Sequence, residues 1–152
     1  MKWLVYAAVI GAALLVPVQR TDVGKLQPIE VVAIQARDHQ IILRTELGDR
    51  GEGKSVEEAL ENMKQTTAGV IYLDTAEYLL VSPGAQEYVK EMNDYLKYDV
   101  RICIAEEEIP LEKTAAYLDS HKPKLRMDAW TGAPIGEELV YQKDRFQLLK
   151  KE

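Results

Sequence analysis

The fold of this chain is decided by residues 41–63, which read Ile41-Ile42-Leu43-Arg44-Thr45-Glu46-Leu47-Gly48-Asp49-Arg50-Gly51-Glu52-Gly53-Lys54-Ser55-Val56-Glu57-Glu58-Ala59-Leu60-Glu61-Asn62-Met63. The first seven residues alternate in side-chain character in a way that is typical of a half-exposed β-strand. Ser55 and Glu58 have the spacing of a capping box, in which the two side chains bond each other's backbone at the start of a helix. The stretch therefore predicts a strand, a charged glycine-rich loop over Gly48–Lys54 and a helix beginning at Ser55.

Strands and helices are predicted on both sides of this stretch. Ile29–Ala36 is rich in β-branched residues and predicts a strand, which a turn at Arg37–Gln40 joins to the next strand as a hairpin. Later helices are expected to begin near Pro83 and Pro110, because proline favours the first helical position. Strands alternating with helices after a hairpin predict an α/β (α+β) domain, with a small mixed β-sheet and about three helices.

Each predicted helix has an apolar stripe that should face the core, and the remaining apolar runs are short. The stripes have the three- and four-residue spacing of one helical face. They are Val56, Ala59, Leu60 and Met63; then Ala85, Tyr88, Val89, Met92 and Leu96; then Leu111, Thr114, Ala115 and Leu118. The short apolar runs are Val70–Leu73, Tyr78–Val81 and Asp99–Ile104, of which the last is a predicted strand.

The chain is expected to have four parts. Residues 1–19 form an N-terminal signal anchor, residues 20–28 a linker, residues 29–127 the α/β domain and residues 128–152 a C-terminal tail. Within the tail, Glu137–Lys150 is a candidate terminal helix.

The N-terminal part is an unbroken apolar run, Trp3–Val18, that follows Lys2. A helix of this length reaches roughly 24–27 Å, the short end of what spans a bilayer. Val16-Pro17-Val18-Gln19-Arg20 lacks the small residues of a cleavage site. We therefore expect an uncleaved transmembrane anchor, rather than a removed signal peptide or a buried core helix. A short tail carrying Lys2 favours a domain on the extracytoplasmic side.

The amino-acid composition limits the classes of function that the chain can have. The formal net charge of -6 argues against a general nucleic-acid-binding protein, which would have a basic surface. The single cysteine, Cys103, rules out an internal disulfide within this chain. A hydrophobic fraction of 47% and a charged fraction of 29% are ordinary for a globular domain.

Gly48–Ser55 also matches the P-loop pattern G-x-x-x-x-G-K-[ST], and this offers an alternative function. In that interpretation Gly48 and Gly53 shape a phosphate cradle, Lys54 binds phosphates, Ser55 binds magnesium and Asp74 supports the metal. Two carboxylates within the loop, an amphipathic strand before it and an extracytoplasmic location all argue against a polyanion site. We favour a connector followed by a capped helix, with no bound cofactor.

The remaining chemistry-bearing residues predict no active site or metal site. His39 and His121 lack further ligands at metal-binding spacing. Cys103 has no identifiable base, and Glu106-Glu107-Glu108 is typical of a solvated stretch before a helix. Trp130, near Pro134, either anchors a partner or packs back onto the domain, and packing is favoured. We therefore expect a protein that is not an enzyme.

The order of elements resembles a known family. Six segments follow one another along the chain: an anchor, the strand Ile29–Ala36, the arm Ile41–Leu47, the run Gly53-Lys54-Ser55-Val56-Glu57-Glu58-Ala59-Leu60, the segment Glu77-Tyr78-Leu79-Leu80-Val81-Ser82 and the strand Asp99–Ala105. This pattern resembles the N-terminal domain of the C-subunit lipoproteins of spore germinant receptors, over about residues 21–118. Those proteins are longer and carry a lipid-attachment cysteine after the apolar segment, where this chain has Val16-Pro17-Val18-Gln19.

The resemblance implies a membrane-tethered, extracytoplasmic and non-enzymatic assembly role in spore germination. It brings no motif of known site residues. The sequence thus favours a binding or assembly module that is anchored in the cell membrane through residues 3–18 and docks to an integral membrane protein.

Overall fold

The computed structural model of the protein describes residues 2–15 and 28–151. The helices and strands of this part follow one another as α1 (Lys2–Leu15), β1 (Val31–Arg37), β2 (Gln40–Thr45), β3 (Arg50–Gly53), α2 (Val56–Thr66), β4 (Tyr78–Val81), α3 (Val89–Met92), β5 (Arg101–Ala105), α4 (Thr114–Ser120), β6 (Glu137–Gln142) and β7 (Arg145–Lys150). Short 3-10 turns lie at Leu73–Thr75, Pro83–Tyr88, Leu111–Lys113 and Met127–Ala129. The predicted mixed α/β class is confirmed.

The seven strands form one mixed sheet in the order β3-β2-β1-β4-β5-β6-β7. The four central strands β1, β4, β5 and β6 run parallel, while β2 and β3 on one side and β7 on the other are antiparallel to their neighbours. The predicted hairpin of β1 and β2 is confirmed, with Arg37 paired to Gln40 beside the turn. Asp38 and His39 in this turn both have positive φ, as a type I′ turn requires.

The sheet is covered on both faces by helices. On the first face, α2 and the helical segment from Pro83 to Met92 pack over the alternate residues Ile34, Leu43, Leu79 and Ile102. On the second face, α4 and the segment before it pack over Ala33, Leu80, Cys103 and Leu139. All four residues of β4 are buried, which explains why this parallel strand is continuously apolar.

The three predicted helix starts and their apolar stripes are confirmed. Ser55 caps α2, and Val56, Ala59, Leu60 and Met63 are all buried. The second helix begins at Pro83 but is mostly 3-10 before α3, and the third is a 3-10 turn that leads into α4. The stripe residues of both are buried, except that Tyr88 and Ala115 are half-buried.

The prediction of a terminal helix at Glu137–Lys150 was wrong, because this segment is the antiparallel hairpin of β6 and β7. Leu139, Tyr141, Phe146 and Leu148 pack on or beside the second face. The hairpin turns at Lys143 and Asp144, which have φ of 51° and 59°. The predicted tail, residues 128–152, therefore contributes two strands to the same sheet as the predicted domain.

The glycine-rich segment also differs from prediction, and the apolar run before β4, for which no element was predicted, forms no strand. Arg50–Gly53 is the strand β3, paired with β2, rather than a flexible loop. Val70–Leu73 is not a strand, since the chain enters a 3-10 turn at Leu73 and the next strand begins only at Tyr78.

The N-terminal helix α1 covers fourteen residues of the predicted anchor. The rest of that anchor and the predicted linker up to residue 27 lie outside the described residues. Within residues 2–15 and 28–151, no helix is both long and apolar enough to cross a membrane.

Candidate functional site

Two of the three glycines in the P-loop-like segment Gly48–Ser55 let a helix lie close to a strand. A Cβ added to Gly51 would lie 2.1 Å from the carbonyl oxygen of Ala59, and one added to Gly53 would lie 2.5 Å from Cβ of Glu58. Both contacts are far inside van der Waals distance, so only glycine lets α2 pack directly on β3. The glycines thus meet a packing requirement, which explains the sequence pattern without a phosphate.

The polar groups that a phosphate cradle would need are used within the protein. The Lys54 N–H donates to Oε2 of Glu58 at 2.8 Å, and the Glu58 N–H donates to Oγ of Ser55 at 3.1 Å. Ser55 therefore caps the helix as predicted, whereas the Glu58 carboxylate bonds the N–H of Lys54, one residue before the N-cap N–H that a capping box uses. The Glu52 N–H donates to Oδ1 of Asn62 at 3.0 Å. These N–H groups and the Ser55 hydroxyl are engaged by the helix they precede, so they do not converge on an empty cradle.

The other residues of the nucleotide-binding alternative are not brought together. Gly48 has φ of +92° and belongs to the turn between β2 and β3, where Asp49 accepts bonds from the hydroxyls of Thr45 and Thr67. Asp74 lies in the 3-10 turn before β4 and faces a different surface depression from Gly48. The geometry of the segment is that of a strand and a helix cap.

We predict that Ser55→Ala lowers the free energy of unfolding by about 1 kcal/mol through the lost cap. Lys54→Ala, the matched control one residue earlier, should stay within about 0.5 kcal/mol because Lys54 is exposed and has no ion pair with a described carboxylate. Urea unfolding followed by circular dichroism measures both. Calorimetric titration with magnesium-ATP should give no heat of binding. Micromolar binding that Lys54→Ala abolishes would restore the P-loop interpretation.

A groove lies beside Trp130, and we call it the Trp130 groove. Its volume is about 490 Å³, within the range of small-molecule sites. The lining combines apolar side chains with three lysines and one carboxylate: Leu125, Ala129, Trp130, Pro134, Lys124, Lys150, Lys151 and Glu137. Such a groove can hold a flat apolar group and place an anion beside an ammonium.

Trp130 itself confirms the expectation that the residue packs back onto the domain. It is half-buried against the first core cluster, and its Nε1–H donates to the carbonyl oxygen of Ala133 at 2.9 Å. Gly136 and Lys151 also line the groove, and the Lys151 N–H donates to the Gly136 carbonyl. Sequence reasoning identified the tryptophan but missed the lysines, because the hairpin that carries Lys150 and Lys151 was not predicted.

A cluster of polar residues lies at the carboxyl ends of β1, β4 and β5, where α/β folds commonly bind ligands. The Glu107 carbonyl accepts bonds from Nη2 of Arg44 at 2.7 Å and from Nε2 of Gln35 at 3.2 Å. The Glu107 carboxylate pairs with Arg37. Below this loop, Nε of Arg44 and Oγ of Ser82 are buried without a protein partner beside a cavity of about 10 Å³, which is water-sized.

The loop that Glu107 belongs to fills the crevice at the carboxyl ends of the parallel strands. The loop after β5 crosses it, and Ile109 and Leu111 help to line the small cavity that remains. Glu107 therefore holds the loop onto the sheet, while Glu106 and Glu108 are exposed, as expected for a solvated stretch.

The remaining candidate residues lie apart from one another. Cys103 is fully buried in β5, and burial raises the pKa of its thiol, which keeps the sulfur protonated and unreactive. His39 lies in the exposed turn between β1 and β2, whereas the ring of His121 stacks on Tyr117 at 4.4 Å. In the described part of the chain, no three His, Cys, Asp or Glu side chains are grouped as metal ligands.

Comparison of the chain with protein-family models, curated proteins and solved structures finds no match.

Proposed function

We propose that this protein is a membrane-tethered binding or assembly module, whose α/β domain lies on the extracytoplasmic side and docks to an integral membrane protein. The observation that carries the proposal is the surface of α1. Six of its large apolar side chains are between 61% and 89% exposed: Trp3, Leu4, Val5, Tyr6, Val9 and Ile10. These residues point in several directions around the helix, so water would contact apolar side chains on most of its circumference.

An apolar helix surface of this kind is stable when something other than water covers it. Burial of apolar area contributes roughly 25 cal/mol per Å², so six large exposed side chains favour transfer into lipid strongly. The apolar sequence continues beyond α1 to Val18, which adds to the length that can insert. Lipid is therefore the environment that best fits the N-terminal segment.

A binding role, rather than an enzymatic one, fits the way in which reactive groups are used. The Cys103 thiol is protonated and buried, and the loop at Glu107 fills the crevice where the fold would hold a substrate. The Trp130 groove is an open surface on which a partner could place an apolar side chain. A role in spore germination receptor complexes, suggested by the resemblance above, belongs to this proposal.

The test is fractionation of cells that express the full chain. We expect the protein in the membrane fraction, and we expect a double variant with Val5→Asp and Val9→Asp to be released. An aspartate at the centre of an inserted helix costs about 3 kcal/mol, roughly a hundredfold in partitioning. Val9 lies near the centre of the run Trp3–Val18, and Val5, nearer its end, adds a smaller cost. The matched control is Leu149→Asp, an exposed leucine on β7 that should not change retention. Intact wild-type chain in the soluble fraction would contradict the tether.

Orientation requires its own measurement. Lys2 predicts that the α/β domain lies outside, so protease added to spheroplasts should digest it. In the double variant, the domain should be spared only if that chain stays in the cytoplasm. Protection of the wild-type domain in intact spheroplasts, with digestion after lysis, would place it on the cytoplasmic side. That outcome would leave the tether and overturn the extracytoplasmic part of the proposal.

A further inference from the structure

Exposed apolar side chains of the domain gather at one end of the sheet. In the 28–151 part, five large apolar residues are at least 40% exposed, and four of these lie in segments at the amino ends of the parallel strands. They are Leu47, Val70, Tyr72 and Tyr98, with exposed fractions of 43%, 55%, 47% and 68%. The fifth, Leu149, lies on the edge strand β7. We call the surface formed by the four the entry face.

The sheet topology places these residues together. Val70 and Tyr72 precede β4, and Tyr98 precedes β5, so both segments lie where the parallel strands begin. Leu47 follows β2, which runs antiparallel to β1 and therefore ends where β1 begins. Neighbouring strands are about 4.8 Å apart, so the row from β2 to β5 extends over roughly 15 Å.

The chain coming from α1 joins the domain at the same end. The Ile29 N–H donates to Oγ1 of Thr75 at 2.9 Å, and this hydroxyl donates to the Ile29 carbonyl at 2.9 Å. Ile29, two residues before β1, is thus bonded to the turn that follows Tyr72. Residues 16–27 connect α1 to this point. The chain from α1 therefore enters the domain at the entry face, through twelve residues that span at most about 43 Å when fully extended.

The charges around the entry face determine which kind of partner surface it can bind. Asp74 and Asp99 stand close to the two exposed tyrosines in sequence, and Lys97 is paired with Glu77 at 2.9 Å. Burial, followed by the charges of Asp119, Glu46 and Glu77, raises the pKa of Glu30 at the same end. Acidic groups outnumber the one basic group among these residues, so attraction to a strongly anionic surface is not favoured.

We propose that the entry face rests on the surface of a zwitterionic bilayer, with Val70, Tyr72 and Tyr98 in the headgroup region. The inference rests on the proposed membrane tether. Tyrosine is enriched at membrane interfaces because its ring is apolar and its hydroxyl is polar. A bilayer is flat, so it can contact the whole row of side chains at once. The domain is then held upright, with the Glu107 loop pointing away from the membrane.

The test uses the full chain in phosphatidylcholine vesicles. Single cysteines introduced as Tyr72→Cys or Tyr98→Cys carry a nitroxide label, and Glu108→Cys at the opposite end of the sheet is the matched control. The native Cys103 is buried and should remain unlabelled. Power-saturation electron paramagnetic resonance then compares collisions with oxygen, which concentrates in lipid, and with a water-soluble nickel chelate. We expect labels at 72 and 98 to show severalfold lower nickel access and higher oxygen access than the label at 108.

The outcomes separate this inference from the proposed function. If the labelled chains float with the vesicles but all three positions show equal nickel access, the entry face is in water and the inference is wrong, while the tether stands. If positions 72 and 98 are protected from both reagents, they contact protein, and a lipid surface is again excluded. If the chains do not float, both proposals are overturned. Adding anionic lipid should not increase protection at either position, and a strong increase would contradict the assigned lipid class.

Discussion

Replacing Gly51 by alanine should destabilise the domain by at least about 3 kcal/mol, the upper range for overpacking a filled core. The new Cβ would meet the Ala59 carbonyl oxygen at 2.1 Å, the Met63 Cβ at 2.7 Å and the Met63 nitrogen at 2.8 Å. Two of these atoms belong to the backbone of α2, so rotation of a side chain cannot relieve the clash. The helix must move off β3, which opens the first core cluster. Thermal and urea unfolding of the purified domain measure the effect.

The matched control is Gly84→Ala. At this position a Cβ would meet its nearest atom, the Ala36 carbonyl oxygen, at 3.8 Å, which is ordinary contact. We expect the control to stay within about 1 kcal/mol of the original chain, with a gain from reduced unfolded-state entropy if anything. If Gly51→Ala and Gly84→Ala unfold at the same urea concentration, the close approach of α2 to β3 is wrong.

The second large effect is expected from Leu60→Ala. Leu60 is 3% exposed and lies on the stripe of α2 that faces the sheet. Removing its side chain loses transfer free energy and leaves a cavity, which together should cost about 2–5 kcal/mol. Leu47→Ala is the matched control, because Leu47 is 43% exposed and should cost less than about 1 kcal/mol. Equal midpoints for the two leucine variants would show that the stripe of α2 is misassigned.

The sequence was most informative where several local signals agreed. In α2 the capping box, the apolar stripe and the preceding alternating strand all indicate the same boundary, and the structure begins the helix after Ser55 as predicted. The starts at Pro83 and Pro110 were also predictable, because proline restricts φ in a way that suits the first turn. The class of fold followed from the alternation of these elements.

The strand β3 was missed for a physical reason. Glycine is unfavourable in an isolated strand, and Arg50 and Glu52 indicate exposure, so the segment has the composition of a loop. What makes it a strand is tertiary: the glycines lie beneath a helix that approaches too closely for any side chain. Such a contact depends on the partner helix and leaves no local signal except two closely spaced glycines, Gly51 and Gly53, of which only Gly53 belongs to the P-loop pattern.

The hairpin β6–β7 was missed because its turn lacks the usual residues. Type I′ turns favour asparagine or glycine, whereas this one uses Lys143 and Asp144 at positive φ. The contacts that stabilise it come from α4, where the Tyr117 hydroxyl accepts the Leu148 N–H at 2.9 Å and the Tyr117 ring lies 5.6 Å from Phe146. The lysines of the Trp130 groove could not be placed without this hairpin.

The attachment of this hairpin to the sheet has a consequence for how the protein avoids aggregation. β6 pairs with β5 only through Ile104 with Glu138 and Ala105 with Leu139. Together with the bridge between Arg101 and Arg126, these two pairs cover the outer backbone of β5, a strand whose last four residues are all buried. A chain cut after Met127 would keep that bridge but leave the carboxyl half of this edge open and apolar, the kind of template on which chains add to one another. The C-terminal hairpin thus covers an edge of the central sheet and prevents that edge from pairing with a strand of a neighbouring copy.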